Sequence, residues 1–197
     1  MPDETGPFHL TTLDPDPKGF YVIGADPAQG VGKDYSTAHV LTFDEDGYPE
    51  IVAYYQDNTV QQTEWAAHMD MLGRFFSGRE WAAKLAVEDQ AGQGALAINE
   101  LHKHLEYPNA YIHQQSGVKK SRGSRLFAFP MTVDRRRSVI DRLGKYLTVE
   151  SGDLKLRGIH PALRVELGQF VAQETAAGNI RYAADVGCHD DLVMSLA

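Results

Sequence analysis

The order in which strand and helix patterns follow one another constrains the fold of this 197-residue chain more than any single motif. Three apolar, β-type runs over residues 20–27, 36–44 and 48–57 come in succession before the first helical pattern. The second and third runs are joined by the stretch DEDGY, whose Asp-Gly pair is typical of a hairpin turn. The sequence therefore predicts a sheet that begins as an antiparallel meander.

Helical and strand patterns alternate in the rest of the chain. After a helix with Thr63 as its N-cap comes a short apolar strand over 83–89 and a second helix from Ala95. The remaining predicted elements are a strand over 110–115, helices over 132–147 and 160–170, a strand over 179–185 and a last helix over 189–197. This order predicts an α/β fold with a mixed central sheet of about five or more strands and helices on both faces.

The glycine-rich stretch GADPAQGVGKDYST, residues 24–37, resembles a phosphate-binding loop only superficially. A P-loop needs Gly, four residues, and then Gly-Lys-Ser/Thr. Pro27 stands where the first glycine is required, and Asp34 stands where the hydroxyl residue is required. A strand pattern follows where a helix should begin, so both a P-loop and a dinucleotide-binding turn are excluded.

Acidic residues instead stand at the ends of predicted elements. Asp26 follows the first apolar strand, Glu88 and Asp89 end the fourth, and Asp190 and Asp191 open the last helix. Each position alone also suits an ordinary turn or helix cap. If the two strands are neighbours and the last helix packs across them, the carboxylates converge and repel one another. Divalent cations with hard oxygen ligands, Mg²⁺ or Mn²⁺, would relieve that repulsion.

A basic segment lies between Val118 and Tyr146. It holds nine Lys and Arg residues against two Asp, in a chain whose formal net charge is −8. A solvated helix face beside a loop is one interpretation of this charge, and a surface for the phosphate backbone of DNA is the other. The residues predicted to bind DNA are Lys119, Lys120, Arg122, Arg125, Arg135, Arg136, Arg142 and Lys145.

The N-terminal sequence, the lengths of the apolar runs and the cysteine count predict the domain boundary and the cellular location of the protein. Residues 1–18 contain four prolines and are expected to form an extended linker before a domain over 19–197. The N-terminus lacks the basic and apolar regions of a signal peptide, and no apolar run reaches the ~18 residues that would span a bilayer. With Cys188 as its one cysteine, the chain has no internal disulfide. We expect a soluble, intracellular protein.

Three stretches together resemble the ribonuclease-H-like nuclease domain of the large terminase subunit of tailed bacteriophages. They are GADPAQGVGKDYST, LAVEDQAGQGALAINEL and HDDLVMSLA, in this order along the chain. The resemblance implies a ribonuclease-H-like fold and an endonuclease that uses two divalent metal ions to cut double-stranded viral DNA concatemers during genome packaging. It also implies the cytoplasm of an infected bacterial host as its location. The implied partners are DNA, an ATPase motor domain, the portal and the small terminase subunit.

The resemblance also assigns roles to residues. Asp26, Glu88 and one or both of Asp190 and Asp191 match the metal-binding acids of the family, and Asp34 is a further catalytic candidate that could reach the second metal ion. The resemblance favours Glu88 over the neighbouring acid because the family's carboxylate comes directly after the apolar strand residues.

Three alternatives remain open from the sequence. Junction resolvases and transposase-type enzymes use the same acids, and a DNA-gripping domain could carry them without catalysis. An actin-like ATPase also has an acid and glycines after its first strand, but it needs a second lobe for which this chain is short.

Overall fold

The computed structural model describes residues 6–28, 32, 34–90, 92, 94–114, 125–150, 153–174, 180–185 and 188–197. The strands are β1 (Phe8–Leu10), β2 (Val22–Asp26), β3 (Ser36–Phe43), β4 (Pro49–Asp57), β5 (Lys84–Asp89), β6 (His113–Gln114), β7 (Arg125–Leu126), β8 (Phe129–Pro130), β9 (Val149–Glu150), β10 (Asp153–Leu154), β11 (Phe170–Glu174) and β12 (Ile180–Ala184). The helices are α1 (Gln62–Phe75), α2 (Ala95–Asn99), α3 (Val133–Tyr146), α4 (Pro161–Gln169) and α5 (Asp191–Leu196). A π-helical turn, Glu100–His104, continues α2.

The central sheet has six strands in the order β1-β4-β3-β2-β5-β8. β2, β3 and β4 form the antiparallel part, and the turn between β3 and β4 contains Gly47 at a φ of 81°. Glycine suits this left-handed conformation because it has no Cβ atom. β5 runs parallel to both β2 and β8. The predicted mixed sheet with an antiparallel first part is confirmed.

Two hydrophobic clusters cover the two faces of the sheet. The first packs α1 and α2 against one face, with Trp65 and Met69 fully buried. The second lies among α3, α4 and α5, with Leu163 fully buried. Side chains alternate along β2, so Ile23 enters the first cluster while Gly24 faces α5. The predicted helices on both faces are therefore present.

The helices follow the sequence predictions in type and differ at their ends. α1 starts from Gln61 as its N-cap, two residues before the predicted Thr63. α3 starts from Thr132, whose side chain accepts a hydrogen bond from the backbone N–H of Arg135. None of the helices in the described ranges is long and apolar enough to cross a membrane.

Part of the predicted linker belongs to the sheet. β1 pairs antiparallel with β4, and the ring of Phe8 contacts that of Tyr55 at a centroid distance of 5.0 Å. The proline content of this segment excludes a helix but does not prevent a short edge strand. The domain boundary at residue 18 stays a prediction.

The strand predicted over 110–115 is shorter than expected. Ala110 makes a single parallel bridge to Leu85, and β6 pairs with β7 outside the central sheet. The place beside the end of β5 is taken by β8, where Phe129 lies opposite Glu88. The outer edge of β5 is thus shared by two segments of the chain.

Candidate active site

The acids predicted at the element ends meet at one edge of the central sheet. Asp26 is the last residue of β2, and Glu88 lies near the end of its parallel neighbour β5. Parallel neighbours bring their carboxyl ends to the same edge. α5 begins beside them, with Asp190 as its N-cap and Asp191 as its first residue. These four carboxylates and Asp34 line one cavity of about 310 Å³.

A close approach between α5 and the sheet places the last two acids over the strand ends. A Cβ atom at Gly24 would collide with the carbonyl oxygen of Ser195, so glycine lets α5 lie directly on β2. Thr37 in β3 donates its hydroxyl to the carbonyl oxygen of Asp191 at 2.7 Å. These contacts fix where α5 begins.

Burial and mutual repulsion act on the carboxyls of this cavity. Burial raises the pKa of Asp26 well above its ordinary value, and repulsion from Glu88, Asp191 and Asp190 adds to the shift. Burial also raises the pKa of Glu88 to about 7, although the guanidinium of Arg136 opposes the change. Negative charge is therefore costly at this edge unless a cation offsets it.

The two adjacent acids of β5 have different surroundings. Asp89 accepts a hydrogen bond from the backbone N–H of Gly92 at 2.9 Å and so closes the turn after the strand. Glu88 is 7% exposed and faces the cavity. Among the described residues, its buried Oε2 atom has no hydrogen-bond partner. The geometry thus favours Glu88 over Asp89 as a ligand for a cation.

Asp191 is held from several sides. Its Oδ2 atom accepts a hydrogen bond from the backbone N–H of Tyr35 at 3.0 Å and lies 3.6 Å from Nδ1 of His189. Burial raises the pKa of Asp191, the hydrogen bond from Tyr35 opposes this, and the charge of Asp34 raises it further. Asp34 lies on the wall of the same cavity, where its charge adds to the repulsion on Asp191.

Arg136, which the sequence placed on a DNA-binding face, lies inside this cavity. Its guanidinium forms an ion pair with the carboxylate of Asp190. The pair joins α3 to the start of α5 and brings one positive charge among the acids. An arginine in this place partly offsets the repulsion between the carboxylates.

The other predicted DNA-binding residues are distributed differently. The guanidinium of Arg135 donates to the carbonyl oxygen of Pro130 at 2.7 Å and lies 3.0 Å from Nε2 of His113, so it braces β8 and β6. Arg142 and Lys145 are exposed on α3. Lys119, Lys120 and Arg122 lie outside the described residues, and Arg125 is described only through its backbone in β7.

Sequence reasoning missed one acid next to this site. Glu166 in α4 is buried, and its Oε2 atom accepts hydrogen bonds from the backbone N–H groups of Leu192 and Val193. The available signal was its spacing, because Glu166 stands three residues after Leu163 on the apolar side of α4. An acid on an apolar stripe indicates a specific partner in the interior.

The donor set of the cavity suits a hard divalent cation. It consists of carboxylate oxygens, one of which, on Glu88, is buried without a described partner. Within the described ranges, no group of three or more His, Cys, Asp or Glu side chains is arranged as a ready-made metal site. The residues thus supply suitable ligands, while Asp190 is occupied by its ion pair with Arg136.

Several solved structures are similar in fold to this chain. The large terminase nuclease of thermophilic phage G20c, solved with bound magnesium, is 24% identical with a TM-score of 0.68, over 98% of this chain and 86% of that chain. The nuclease domain of the large terminase of Thermus phage P74-26 is 22% identical with a TM-score of 0.65, over 98% and 84%. The large terminase of bacteriophage HK97 is 12% identical with a TM-score of 0.56, over 96% and 41%.

These likenesses show that the chain shares the fold of large terminase nucleases, and the family model reported below describes that fold as RNaseH-like, as the resemblance implied. A comparison with curated protein sequences found no match. The model of the terminase RNaseH-like domain matches residues 23–196, which is most of the chain. The protein therefore belongs to the terminase RNaseH-like domain family.

Proposed function

We propose that this domain is a metal-dependent endonuclease that hydrolyses phosphodiester bonds of double-stranded DNA with little sequence preference. The observation that carries the proposal is the convergence of Asp26, Glu88, Asp190 and Asp191 on one cavity from three distant parts of the chain. The nuclease of phage G20c was solved with bound magnesium, which supports the use of a divalent cation by this domain as well.

The acids of the cavity would hold two divalent ions, Mg²⁺ or Mn²⁺. Asp26 and Glu88 offer oxygens from the strand ends, and Asp190 and Asp191 offer them from α5. Asp34 is a further catalytic candidate on the cavity wall. Two such ions, when bound, stabilise the charge that develops on the attacking and leaving oxygens of a phosphodiester. No nucleophilic side chain is required for this chemistry.

Basic residues beside the cavity would hold the DNA backbone. Arg136 stands at the cavity, and Arg142 and Lys145 are exposed on the same helix. Arg135 and the basic stretch over 119–125 complete the proposed surface. Contacts to phosphate position a duplex without reading its bases, which is the reason for the weak sequence preference.

The biological setting follows from the family. The substrate would be concatemeric viral DNA in the cytoplasm of an infected bacterium, cut during genome packaging. An ATPase motor domain, the portal and the small terminase subunit would be the protein partners.

Cleavage of supercoiled plasmid tests the proposal. With Mn²⁺ or Mg²⁺, we expect the wild-type protein to produce nicked and linear DNA, and we expect Asp26→Asn to produce none. The variant should melt at the same or a higher temperature without metal, because one of several repelling charges is gone. The matched control is Asp89→Asn, which keeps an acceptor for Gly92 outside the cavity and should remain active.

Three outcomes would contradict the proposal. Metal-dependent nicking by Asp26→Asn would remove the assigned site, and an inactive wild-type protein that still binds duplex DNA would favour a gripping domain. Faster cutting of branched junctions than of linear duplex would favour a resolvase of the same fold.

A further inference from the structure

The start of α5 lacks the cap that its own sequence offers. Asp190 holds the N-cap position, since its carbonyl oxygen accepts the hydrogen bond from the backbone N–H of Met194 at 2.9 Å. An aspartate at this position ordinarily accepts hydrogen bonds from the second or third residue of the helix. The carboxylate of Asp190 pairs with Arg136 instead and makes no cap bond in the described structure.

Glu166 of α4 fills this role from outside the helix. Its Oε2 atom accepts from the backbone N–H of Leu192 at 2.8 Å and of Val193 at 3.2 Å. These are the second and third residues of α5, whose N–H groups an N-cap side chain would bind. Leu163, one turn before Glu166, is fully buried in the second cluster, so α4 holds the carboxylate in place.

The consequence concerns the two acids at the start of α5. A six-residue helix has little stability of its own and depends on contacts that fix its end. If Asp190 had to cap α5, its carboxylate would turn toward the helix and away from the cavity. With Glu166 in that role, the carboxylates of Asp190 and Asp191 remain on the cavity wall.

We infer that Glu166 is a positioning residue that caps α5 in place of Asp190 and so keeps Asp190 and Asp191 available to a divalent cation. The inference rests on the proposed function for the identity of the ligand. It does not depend on the charge of Glu166, because a neutral carboxyl or an amide keeps an acceptor oxygen. Glutamine should therefore replace glutamate, whereas alanine should not.

Three variants separate positioning from general stability. Glu166→Ala removes the acceptor, Glu166→Gln keeps it, and Met69→Ala weakens the first cluster, on the opposite face of the sheet, without touching the cap. Amide hydrogen exchange of residues 190–197 is measured in metal-free protein, and the affinity for Mn²⁺ is measured by calorimetry. Both are compared with the wild-type protein.

We expect Glu166→Ala to speed exchange in α5 about fivefold and to weaken Mn²⁺ binding about fivefold, the usual effect of losing a cap. Glu166→Gln should match the wild type in both measurements. Met69→Ala should lower the melting temperature and leave Mn²⁺ binding unchanged, because its side chain is buried on the other face of the sheet. Should Glu166→Ala not fold, Glu166→Asp serves in its place, because it keeps the charge and shortens the reach.

Three results would overturn the inference: wild-type Mn²⁺ affinity in Glu166→Ala, an equal loss in Met69→Ala, or an equal loss in Glu166→Gln. If the wild-type protein binds no Mn²⁺, the proposed function is wrong, and so is the part of the inference that concerns cation binding by Asp190 and Asp191. The exchange measurement then still decides separately whether Glu166 caps α5.

Discussion

The two faces of the central sheet are held by different kinds of contact. On the α1 side, Trp65 and Met69 are fully buried among apolar neighbours. On the α5 side, buried polar groups join the helix to the sheet: His39 Nδ1 lies 2.9 Å from Ser195 Oγ, and Thr37 donates to α5. Apolar burial stabilises a contact without fixing its direction, whereas a hydrogen bond fixes both the distance and the direction between its two groups. The α1 side has a directional contact too, between Tyr55 Oη and His68 Nδ1 at 3.0 Å, but the connected series of polar groups lies on the face that carries the candidate site.

The polar contacts on the α5 side form a continuous chain. His160 Nδ1 accepts from the backbone N–H of Leu163 at 3.3 Å, which assigns the proton to Nε2, and this atom then donates to His39 Nε2 at 2.9 Å. His39 Nδ1–H in turn donates to Ser195 Oγ, whose hydroxyl donates to the carbonyl oxygen of Leu192 at 3.2 Å. Each group has a fixed role, so the chain orders α4, β3 and α5 relative to one another.

The largest expected effect is on the apolar face. Trp65→Ala should lower the free energy of unfolding by about 3–5 kcal/mol, because it leaves a large cavity in the first cluster. The matched control is Trp81→Ala, at a side chain that is 90% exposed, and it should change little. Denaturant titration measures both, and an equal loss in the two variants would contradict the division between the faces.

The second effect is a pH dependence that belongs to the polar face. Burial, together with the neighbouring His160, lowers the pKa of His39 from 6.5 to about 3. Between pH 6.5 and pH 3 the unfolded chain therefore binds a proton at His39 that the folded protein does not bind. The contribution of neutral His39 to the free energy of unfolding is fully present above pH 6.5 and is lost as the pH falls below that value. At pH 5 the loss from His39 alone is about 2 kcal/mol.

A comparison with His39→Asn isolates this effect. Burial raises the pKa of Glu88 and of Glu166 to about 7, so these carboxyls act in the opposite direction as the pH falls. The wild-type protein and His39→Asn both contain these two carboxyls. When the free energy of unfolding of one is subtracted from that of the other at each pH, the contribution of the carboxyls therefore cancels. Parallel curves between pH 7 and pH 5 would show that His39 does not titrate as its burial requires.

The smallest effect concerns Arg136, the positively charged side chain in the cavity on the α5 side of the sheet. Arg136→Gln should lower the free energy of unfolding of metal-free protein by about 1 kcal/mol, because its ion pair with Asp190 is only partly buried. The same change should tighten Mn²⁺ binding several-fold, since a positive charge leaves the cavity. Arg137→Gln, on the exposed side of α3, is the matched control. Weaker Mn²⁺ binding in Arg136→Gln would show that the arginine supports the cation and does not compete with it.

The sequence predicted the elements that bear the site better than it predicted the contacts within the site. Asp26 and Glu88 could be placed because strand ends are readable from local apolar runs and glycine turns. Glu88, which the resemblance favours over Asp89, lines the cavity, and its role as a ligand stays a prediction. The segment over 110–115 was predicted as one strand, because local pattern does not reveal which segment pairs with an open sheet edge.

The contacts that sequence reasoning did not predict all act across long separations. Arg136 is of a residue type that usually lies on the surface, and it pairs with Asp190, which stands 54 positions later in the chain. Glu166 stands 26 positions before the backbone group that it caps. The need for glycine at position 24 depends on Ser195, at the far end of the chain.

The amino-acid sequence by itself determined the order of strands and helices, the antiparallel start of the sheet and the acids at the element ends. These are local properties, set by side-chain periodicity and turn chemistry over a few residues. Only the tertiary structure decided which arginine stands among the carboxylates and which side chain caps α5. These depend on distances and burial between segments far apart in the chain, which no local pattern records.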